Sequence, residues 1–260
     1  MPFTLECPIP PRERLLVYGV EGTGKSKGLL DIARRVTDGK FYIMDNDLSY
    51  ERLLYTGYLD VAERGNVVIE NYDTTEWGLY IPQINEWRKV AGRNDWLVLD
   101  STTPTWSAVS SWYSDQLFGK DKAAHMLQLK KDSKSDREFH KAMSDSMNYT
   151  IINAEYFKLY AVLARWPGHV YLTAEQDTIR EEDEKGTRDV YGPIGFKPKG
   201  QKAIGHRTNT VLWMSRNRAG EWLMSTMKDR GREYMNKVVT TDFAADYLQG
   251  IAGWKMAKVD

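Results

Sequence analysis

Eight residues near the start of the chain have the types and spacing of a phosphate-binding loop. The segment Gly19-Val-Glu-Gly22-Thr-Gly24-Lys25-Ser26 matches the pattern G-x-x-x-x-G-K-[ST] in full. Its glycines let backbone N–H groups point inward at phosphate oxygens, and the following helix adds its positive end. Lys25 is expected to reach the β- and γ-phosphates, and Ser26 to ligate Mg²⁺. The predicted ATP- and Mg²⁺-binding residues are Glu21, Gly22, Thr23, Gly24, Lys25 and Ser26.

Three aspartates at the ends of predicted strands could complete such a site. Asp100 closes the apolar run Trp96–Leu99, where a Walker B carboxylate would hold Mg²⁺ through water. Asp45 and Asp47 end an earlier strand, which we expect beside the strand that precedes the loop. A carboxylate there can orient and deprotonate an attacking water, and Asp47 is favoured over Asp45 for that role. The structural alternative is turn chemistry, because Asp-Asn-Asp is also a good turn sequence.

Strands and helices alternate along the first two thirds of the chain, which predicts βαβ crossovers and a mostly parallel sheet. Residues 119–146 are polar and mixed in charge, which predicts an exposed helix pair or a mobile insertion. An antiparallel hairpin is predicted around Arg218-Ala-Gly220, and a last helix at 243–248. The predicted strands are 14–18, 41–44, 66–69, 96–99 and 170–173, and the main predicted helices are 25–36, 76–90 and 150–166.

Composition limits the classes of protein to be considered. A length of 260 residues makes one domain the default. The 36 basic residues balance 36 acidic ones, so nucleic-acid binding would have to rest on local patches. Cys7 is the only cysteine, which excludes an intrachain disulfide and a cysteine metal site. No membrane span or secretory signal is predicted, so we expect a cytoplasmic protein.

The order of these features resembles the RecA-like recombinases and, more closely, phage-encoded RecA-like ATPases linked to single-strand annealing and recombination. A P-loop opens the chain, and the Walker B strand ends in Asp100-Ser101. Asp47 lies where this family keeps a catalytic Glu, and the shorter Asp is a departure from the family pattern. Lys228-Asp-Arg230 follows the hairpin, where ring and filament ATPases often carry a Lys-x-Arg pair that reaches the neighbouring subunit's ATP. The resemblance spans roughly residues 12 to 235.

This resemblance implies an α/β fold with a RecA-like P-loop core, a mostly parallel sheet flanked by helices and a C-terminal antiparallel hairpin, as one domain over residues 1–260. It implies Mg²⁺-dependent ATP hydrolysis in a homo-oligomeric ring or filament with active sites between subunits, in the host cytoplasm if the chain is phage-encoded. The implied metal residues are Ser26 and Asp100. The implied catalytic residues are Lys25, Asp47, Asp100, Gln176, Lys228 and Arg230.

The family also places a γ-phosphate sensor and a DNA loop after the next strand. Gln176 is the favoured sensor, with Thr173 and Glu175 as alternatives. The segment 177–207 would then hold single-stranded DNA, since residues 195–207 contain four basic residues and no acid. Tyr191 and Phe196 could stack on bases. The segment 119–122 lies where the family has its other DNA loop. The predicted phosphate contacts are Lys197, Lys199, Lys202 and Arg207.

Other P-loop proteins fit the sequence less well. A nucleotide or small-molecule kinase needs a lid with arginines, but the polar segment 119–146 contains only Arg137. A helicase or packaging motor usually carries a further nuclease or primase domain, for which this chain has no room. A GTPase would carry Asn/Thr-Lys-x-Asp for guanine, and the sequence has no such motif.

Overall fold

The computed structural model describes residues 12–72, 76–201, 203–230, 239–240 and 242–249. The strands are β1 (Arg14–Tyr18), β2 (Phe41–Asp45), β3 (Val67–Asn71), β4 (Trp96–Asp100), β5 (His169–Ala174), β6 (Gln176–Thr178), β7 (Phe196–Pro198), β8 (Thr210–Arg216), β9 (Trp222–Asp229) and β10 (Val239–Thr240). The α-helices are α1 (Lys25–Arg35), α2 (Ser49–Gly57), α3 (Leu59–Arg64), α4 (Trp77–Arg88), α5 (Thr102–Phe118), α6 (Lys122–Asp132), α7 (Asp136–Ser146), α8 (Tyr149–Ala164), α9 (Lys185–Tyr191) and α10 (Ile204–Arg207). A 3₁₀ turn spans Gly192–Ile194, and a π-helix spans Phe243–Gln249.

Eight strands form one sheet in the order β10-β9-β8-β1-β5-β4-β2-β3. All neighbours from β8 to β3 are parallel, and β9 and β10 extend the β8 edge in antiparallel pairs. The remaining strands, β6 and β7, form a separate antiparallel ribbon just past the end of β5. The predicted fold class is therefore confirmed: an α/β fold with a mostly parallel sheet and an antiparallel hairpin.

The predicted position of β2 in the sheet is wrong. The strand before the phosphate loop, β1, pairs with β5 and β8, whereas β2 pairs with β3 and β4. Two strands therefore separate β2 from β1. A helical crossover is long enough to pass over a neighbouring strand, so alternation along the sequence does not specify strand order. Asp45 still lies at the edge of interest, because it pairs in register with Asp100.

Successive residues of a strand point to opposite faces of the sheet, and helices cover both faces, so the side chains on both faces are buried. In β1, Leu16 and Tyr18 belong to one core and Leu15 and Val17 to the other. Helices α4, α5 and α8 cover the first face, and α1, α2, α3 and the π-helix cover the second. Each fully buried Leu or Val side chain stabilises the fold by about 1.5–3 kcal/mol. This two-sided core holds the carboxyl ends of the parallel strands at one common edge.

Two segments left open by the sequence contain regular structure. Residues 119–146 include α6 and α7, and Asp121 and Ser135 cap their first turns through side-chain oxygens. The proposed DNA segment, 177–207, includes α9, β7 and α10 and is not one irregular loop. Among the described residues, no helix is both long and apolar enough to cross a bilayer.

A buried histidine at the start of β5 makes the fold acid-sensitive. The His169 Nδ1 atom accepts a hydrogen bond from the Glu13 backbone N–H at 3.0 Å, and the ring stacks on Trp96 at 4.8 Å between centroids. Burial, with a smaller contribution from the Arg14 cation, lowers the pKa of His169 from 6.5 to about 3. Only the neutral ring fits this site, so the unfolded chain takes up the proton more readily.

We therefore expect the free energy of unfolding to fall as pH drops from about 6.5 toward 3, by up to about 1.4 kcal/mol per pH unit from this residue. His169→Asn places an amide oxygen near the acceptor position and should remove this part of the acid dependence. Urea unfolding at several pH values between 4 and 8 measures it, with the exposed His140→Asn as control. Equal slopes in His169→Asn and the unmodified protein would contradict the assignment.

Candidate functional site

The phosphate loop lies between the end of β1 and the start of α1. Gly24 adopts a left-handed conformation with φ of 84° immediately before the helix, so a side chain there would strain the backbone. Gly19 lies so close to β8 that an added Cβ would be 2.4 Å from the Met214 carbonyl oxygen. The Thr23 hydroxyl donates to the Val20 carbonyl at 2.7 Å and braces the turn. Backbone requirements thus explain the glycines at 19 and 24.

Lys25 curls back over the loop that it follows. Its Nζ atom donates to the carbonyl oxygens of Gly19 at 3.1 Å and Val20 at 3.0 Å. Burial lowers the pKa of Lys25 below its ordinary value, while nearby carboxylates, with Asp100 and Asp47 first among them, act in the opposite direction. This lysine is a cation over a loop of backbone dipoles, where a polyphosphate would be its counter-ion.

The Asp100 carboxylate lies against the start of α1. Ser26 Oγ donates to Asp100 Oδ2 at 2.7 Å, although the two residues are far apart in the sequence. The Tyr50 hydroxyl donates to the same oxygen at 2.8 Å, and the Thr173 hydroxyl donates to Oδ1. Asp100 is almost fully buried. Three donors therefore hold this carboxylate in one orientation at the carboxyl end of β4.

The two aspartates that follow β2 have different surroundings. Asp45 is fully buried, and its carboxylate accepts from the backbone N–H groups of Asp47 at 3.2 Å and Tyr50 at 3.0 Å. Asp45 thus satisfies the first turn of α2. Asp47 is exposed, yet partial desolvation, followed by the neighbouring Asp100 and Asp45 charges, raises its pKa above 3.8. An exposed carboxylate with a raised pKa accepts a proton from water more readily than an ordinary aspartate does.

The three candidate sensor residues end β5 and begin β6. Thr173 is buried and donates to Asp100. The charge of Glu175 is one of those that oppose the lowering of the Lys25 pKa. The Glu175 carboxylate also forms an ion pair with Lys199 at 2.5 Å. The Gln176 side-chain oxygen accepts from Trp213 Nε1 at 3.1 Å. Gln176 also lines a cavity of about 410 Å³ beside the tip of the phosphate loop. All three side chains thus lie around the loop, each with a different contact.

Sequence reasoning missed an aromatic and cationic flank of the phosphate loop. The Trp222 ring lies 3.5 Å from the position of a Cβ at Gly24. The Arg216 guanidinium stacks over Trp222 at 4.1 Å, and Arg216 also lines the cavity beside the loop tip. β8 is parallel to β1, so the hairpin between β8 and β9 extends past the same sheet edge as the loop. Arg216 and Trp222 flank that hairpin turn. Their positions on either side of the predicted hairpin were the signal in the sequence that could have identified them.

The predicted DNA contacts are mostly engaged within the protein. Lys197 forms an ion pair with Asp183, and Lys199 pairs with Glu175. The Arg207 guanidinium lies over the Phe157 ring at 4.5 Å from its centroid. Lys202 lies outside the described residues. The four-base segment is thus less cationic than its own sequence indicates, because its acidic partners come from outside that segment.

The aromatic residues proposed to stack on bases also have protein partners. Tyr191 contacts Tyr18 edge-on at 6.0 Å, and Phe196 stacks on Trp213 at 6.2 Å between centroids. Both are partly buried against the core. The segment 119–122, the second proposed DNA loop, connects α5 to α6.

Lys228 and Arg230 lie at the side of the sheet where the parallel strands begin, whereas the phosphate loop of the same chain lies at the side where those strands end. Lys228 pairs with Val211, near the amino end of β8, whereas the loop follows the carboxyl end of β1. Lys228 Nζ donates to the carbonyl oxygens of Gly205 at 2.7 Å and Thr208 at 2.8 Å. Arg230 donates to the His206 carbonyl at 3.3 Å. Any contact of these cations with ATP would therefore be to a neighbouring subunit's nucleotide.

The donor atoms at Ser26 and Asp100 fit Mg²⁺. A hydroxyl and a carboxylate are hard oxygen ligands, and Mg²⁺ commonly takes one or two protein oxygens and fills its other positions with water and phosphate. Within the described ranges, no cluster of three or more His, Cys, Asp or Glu side chains could hold a metal ion.

Comparisons with known proteins give only remote similarity. No family model and no curated protein matches the chain. Among solved structures, it is similar to a prototypical ATPase from the type III secretion system of pathogenic bacteria, at 14% identity and a TM-score of 0.40 over 78% of this chain and 51% of that one. It is also similar to the assembled ATPase EscN of enteropathogenic E. coli, at 14% identity and a TM-score of 0.39 over 78% and 43%. The chain spans about half the length of these structures, and likeness at this level assigns no activity.

Proposed function

We propose that this protein binds Mg²⁺·ATP at the phosphate loop and hydrolyses it. The observation that carries this proposal is the 2.7 Å hydrogen bond between Ser26 and Asp100, which joins the loop serine to a buried carboxylate on another strand. Lys25, placed over the loop carbonyls, supplies the cation that the phosphates require.

The side chains divide the chemistry of the reaction among them. The loop N–H groups and Lys25 bind the β- and γ-phosphates and neutralise charge on them. Ser26 and Asp100 would hold Mg²⁺, which neutralises phosphate charge when bound. Asp47 orients a water and takes its proton as the water oxygen attacks the γ-phosphorus. The bond from that phosphorus to the β–γ bridging oxygen breaks, giving ADP and phosphate. Gln176, with Thr173 and Glu175 beside it, is the proposed sensor of the γ-phosphate.

Phosphate release from ATP, measured with Mg²⁺ and then with excess EDTA, tests the proposal directly. We expect turnover that depends on the metal. A kinase would instead leave ATP largely intact until an acceptor molecule is supplied, so turnover in water alone separates these two classes. If no phosphate is released from ATP, either in the presence or in the absence of single-stranded DNA, the proposed activity is wrong.

Single-stranded DNA is the partner that we propose for the basic residues Lys197, Lys199, Lys202 and Arg207. The argument is the local composition: four basic residues and no acid between 195 and 207. Phosphates would have to replace Asp183 and Glu175 as partners of the first two lysines. Because Glu175 also acts on Lys25, this exchange would change the charge around the phosphate loop. DNA binding and ATP turnover would then be linked.

A salt titration tests these contacts. The slope of log affinity against log salt for a single strand should flatten by about 0.7 for each phosphate contact that is lost. A variant with alanine at all four positions should therefore bind single-stranded DNA more weakly, and its log affinity should depend less steeply on log salt. A control variant removes four lysines elsewhere in the chain, namely Lys89 just after α4, Lys130 in α6, Lys141 in α7 and Lys158 in α8. If the two variants change the slope equally, net charge rather than these four contacts is responsible.

An oligomer with ATP between subunits is part of the same proposal. Lys228 and Arg230 lie away from the loop of their own chain, as a cation supplied to a neighbour would. Recombination or annealing of DNA is the process we propose for such an assembly, in the cytoplasm. A motor ATPase of the helicase or packaging type is the alternative, and would be indicated by directional movement along DNA coupled to turnover.

A further inference from the structure

One tyrosine connects both carboxylates that end β2 and β4. Tyr50 is fully buried in the first turn of α2. Its hydroxyl donates to Asp100 Oδ2 at 2.8 Å, while its backbone N–H donates to Asp45 Oδ2 at 3.0 Å. Asp47, the proposed base, lies three positions earlier, in the segment between β2 and α2. A single residue thus ties the metal carboxylate to the segment that would activate water.

Packing alone does not account for the Tyr50 hydroxyl. The ring belongs to the core on the α1 face of the sheet, where phenylalanine would fill the same volume. A buried hydroxyl costs free energy unless it finds a partner. Here the partner is ionisable and also accepts from Ser26, and hydrogen bonds to carboxylates are among the stronger ones.

We propose that Tyr50 is a positioning residue that orients Asp100 for Mg²⁺ and links α2 to the metal site. This inference rests on the proposed Mg²⁺·ATP site. Ser26 and Tyr50 share Oδ2, and Thr173 donates to Oδ1. If binding of Mg²⁺ draws Ser26 away from Asp100, Tyr50 and Thr173 would remain as the donors that orient the carboxylate.

The conservative variant Tyr50→Phe isolates the hydroxyl. Groups that orient metal ligands typically account for 10- to 100-fold in metal affinity. We expect Tyr50→Phe to weaken Mn²⁺ binding in the presence of ADP by roughly tenfold. Loss of the free Mn²⁺ signal in electron paramagnetic resonance measures that binding without hydrolysis. In phosphate release, the Mg²⁺ concentration for half-maximal rate should rise, and high Mg²⁺ should restore most of the rate.

The matched control is Tyr156→Phe. Tyr156 is also buried, but its hydroxyl contacts Thr105 at 3.1 Å, away from the phosphate loop. Both variants should lose similar thermal stability, and only Tyr50→Phe should change Mn²⁺ affinity. A second pair of variants changes Thr173, which donates to the other carboxylate oxygen of Asp100. Thr173→Val should weaken Mn²⁺ binding, and Thr173→Ser should retain it. These variants also serve if Tyr50→Phe fails to fold.

The outcomes separate this inference from the proposed function. If the unmodified protein neither binds Mn²⁺·ADP nor releases phosphate, the proposed function is wrong, and the inference is lost with it. If the unmodified protein does both and Tyr50→Phe keeps the same Mn²⁺ affinity, the role of Tyr50 is wrong while the proposed function stands. Unchanged affinity in Thr173→Val as well would show that Asp100 needs no orienting donors.

Discussion

Replacing Lys25 by alanine is expected to abolish ATP hydrolysis and to weaken nucleotide binding strongly. Lys25 is the cation directly over the loop, where it is held by the carbonyls of Gly19 and Val20. Without it, the phosphates would meet the carboxylates of Asp47, Asp100 and Glu175, whose charges already act on this lysine, with no cation between them. Charge-assisted bonds to phosphate are roughly twice as strong as neutral ones, so binding and turnover should both fall.

Phosphate release and binding of a fluorescent ATP analogue measure these two effects separately. Lys27→Ala is the matched control, because Lys27 is an exposed lysine two positions later whose ion pair is to Asp31. It should leave both quantities nearly unchanged. Hydrolysis close to normal in Lys25→Ala would remove the central claim about this site.

Asp47→Asn should leave ATP bound but slow its cleavage by roughly 10²- to 10⁴-fold, the usual contribution of a positioned general base. The amide keeps the size of the side chain but accepts a proton poorly. Asp100→Asn should differ in kind, because it mainly disturbs Mg²⁺ and should respond to added metal. Turnover at saturating ATP, measured across a range of Mg²⁺ concentrations, distinguishes the two variants. If Asp45→Asn loses turnover and Asp47→Asn does not, the two roles are exchanged.

The pH dependence gives an independent check on Asp47. Partial desolvation, and then the charges of Asp100 and Asp45, raise its pKa above 3.8. A base must be ionised to accept a proton, so the maximal rate should increase with pH as Asp47 loses its proton. The acid limb of the rate profile should therefore lie above the ordinary aspartate range. Asp47→Asn should lack that limb, whereas Lys27→Ala should keep it.

The features of this site that could be predicted are local ones. The loop from Gly19 to Ser26 is defined by spacing within eight residues, and Asp100 by an apolar strand that ends in a carboxylate. Strands separated by helices also sufficed to predict the fold class. Each of these inferences depends on neighbours in the sequence, where backbone geometry and burial are the main constraints.

The features that escaped prediction depend on contacts across the chain. In the sheet, β4 and β5 lie between β1 and β2, and nothing in the local sequence pattern predicts this order of strands. Tyr50 reads as an ordinary core aromatic until its hydroxyl meets Asp100. The partners of Lys197 and Lys199 lie in other segments, so a count of charges within the segment overstated its free positive charge.

The sheet order also bears on how the chain folds during synthesis. Among the strands that the structure describes, β1 is synthesised first, but its partners are β5 and β8, so Leu15 to Val17 cannot pair in the sheet until Val170 to Thr173 have been made. At bacterial-type synthesis rates that interval lasts about 10 to 30 s. The strand that leads into the phosphate loop therefore waits as an apolar segment on the ribosome. Meanwhile β2, β3 and β4 can pair with one another, so we expect β1 and the phosphate loop to join a half-sheet that already exists.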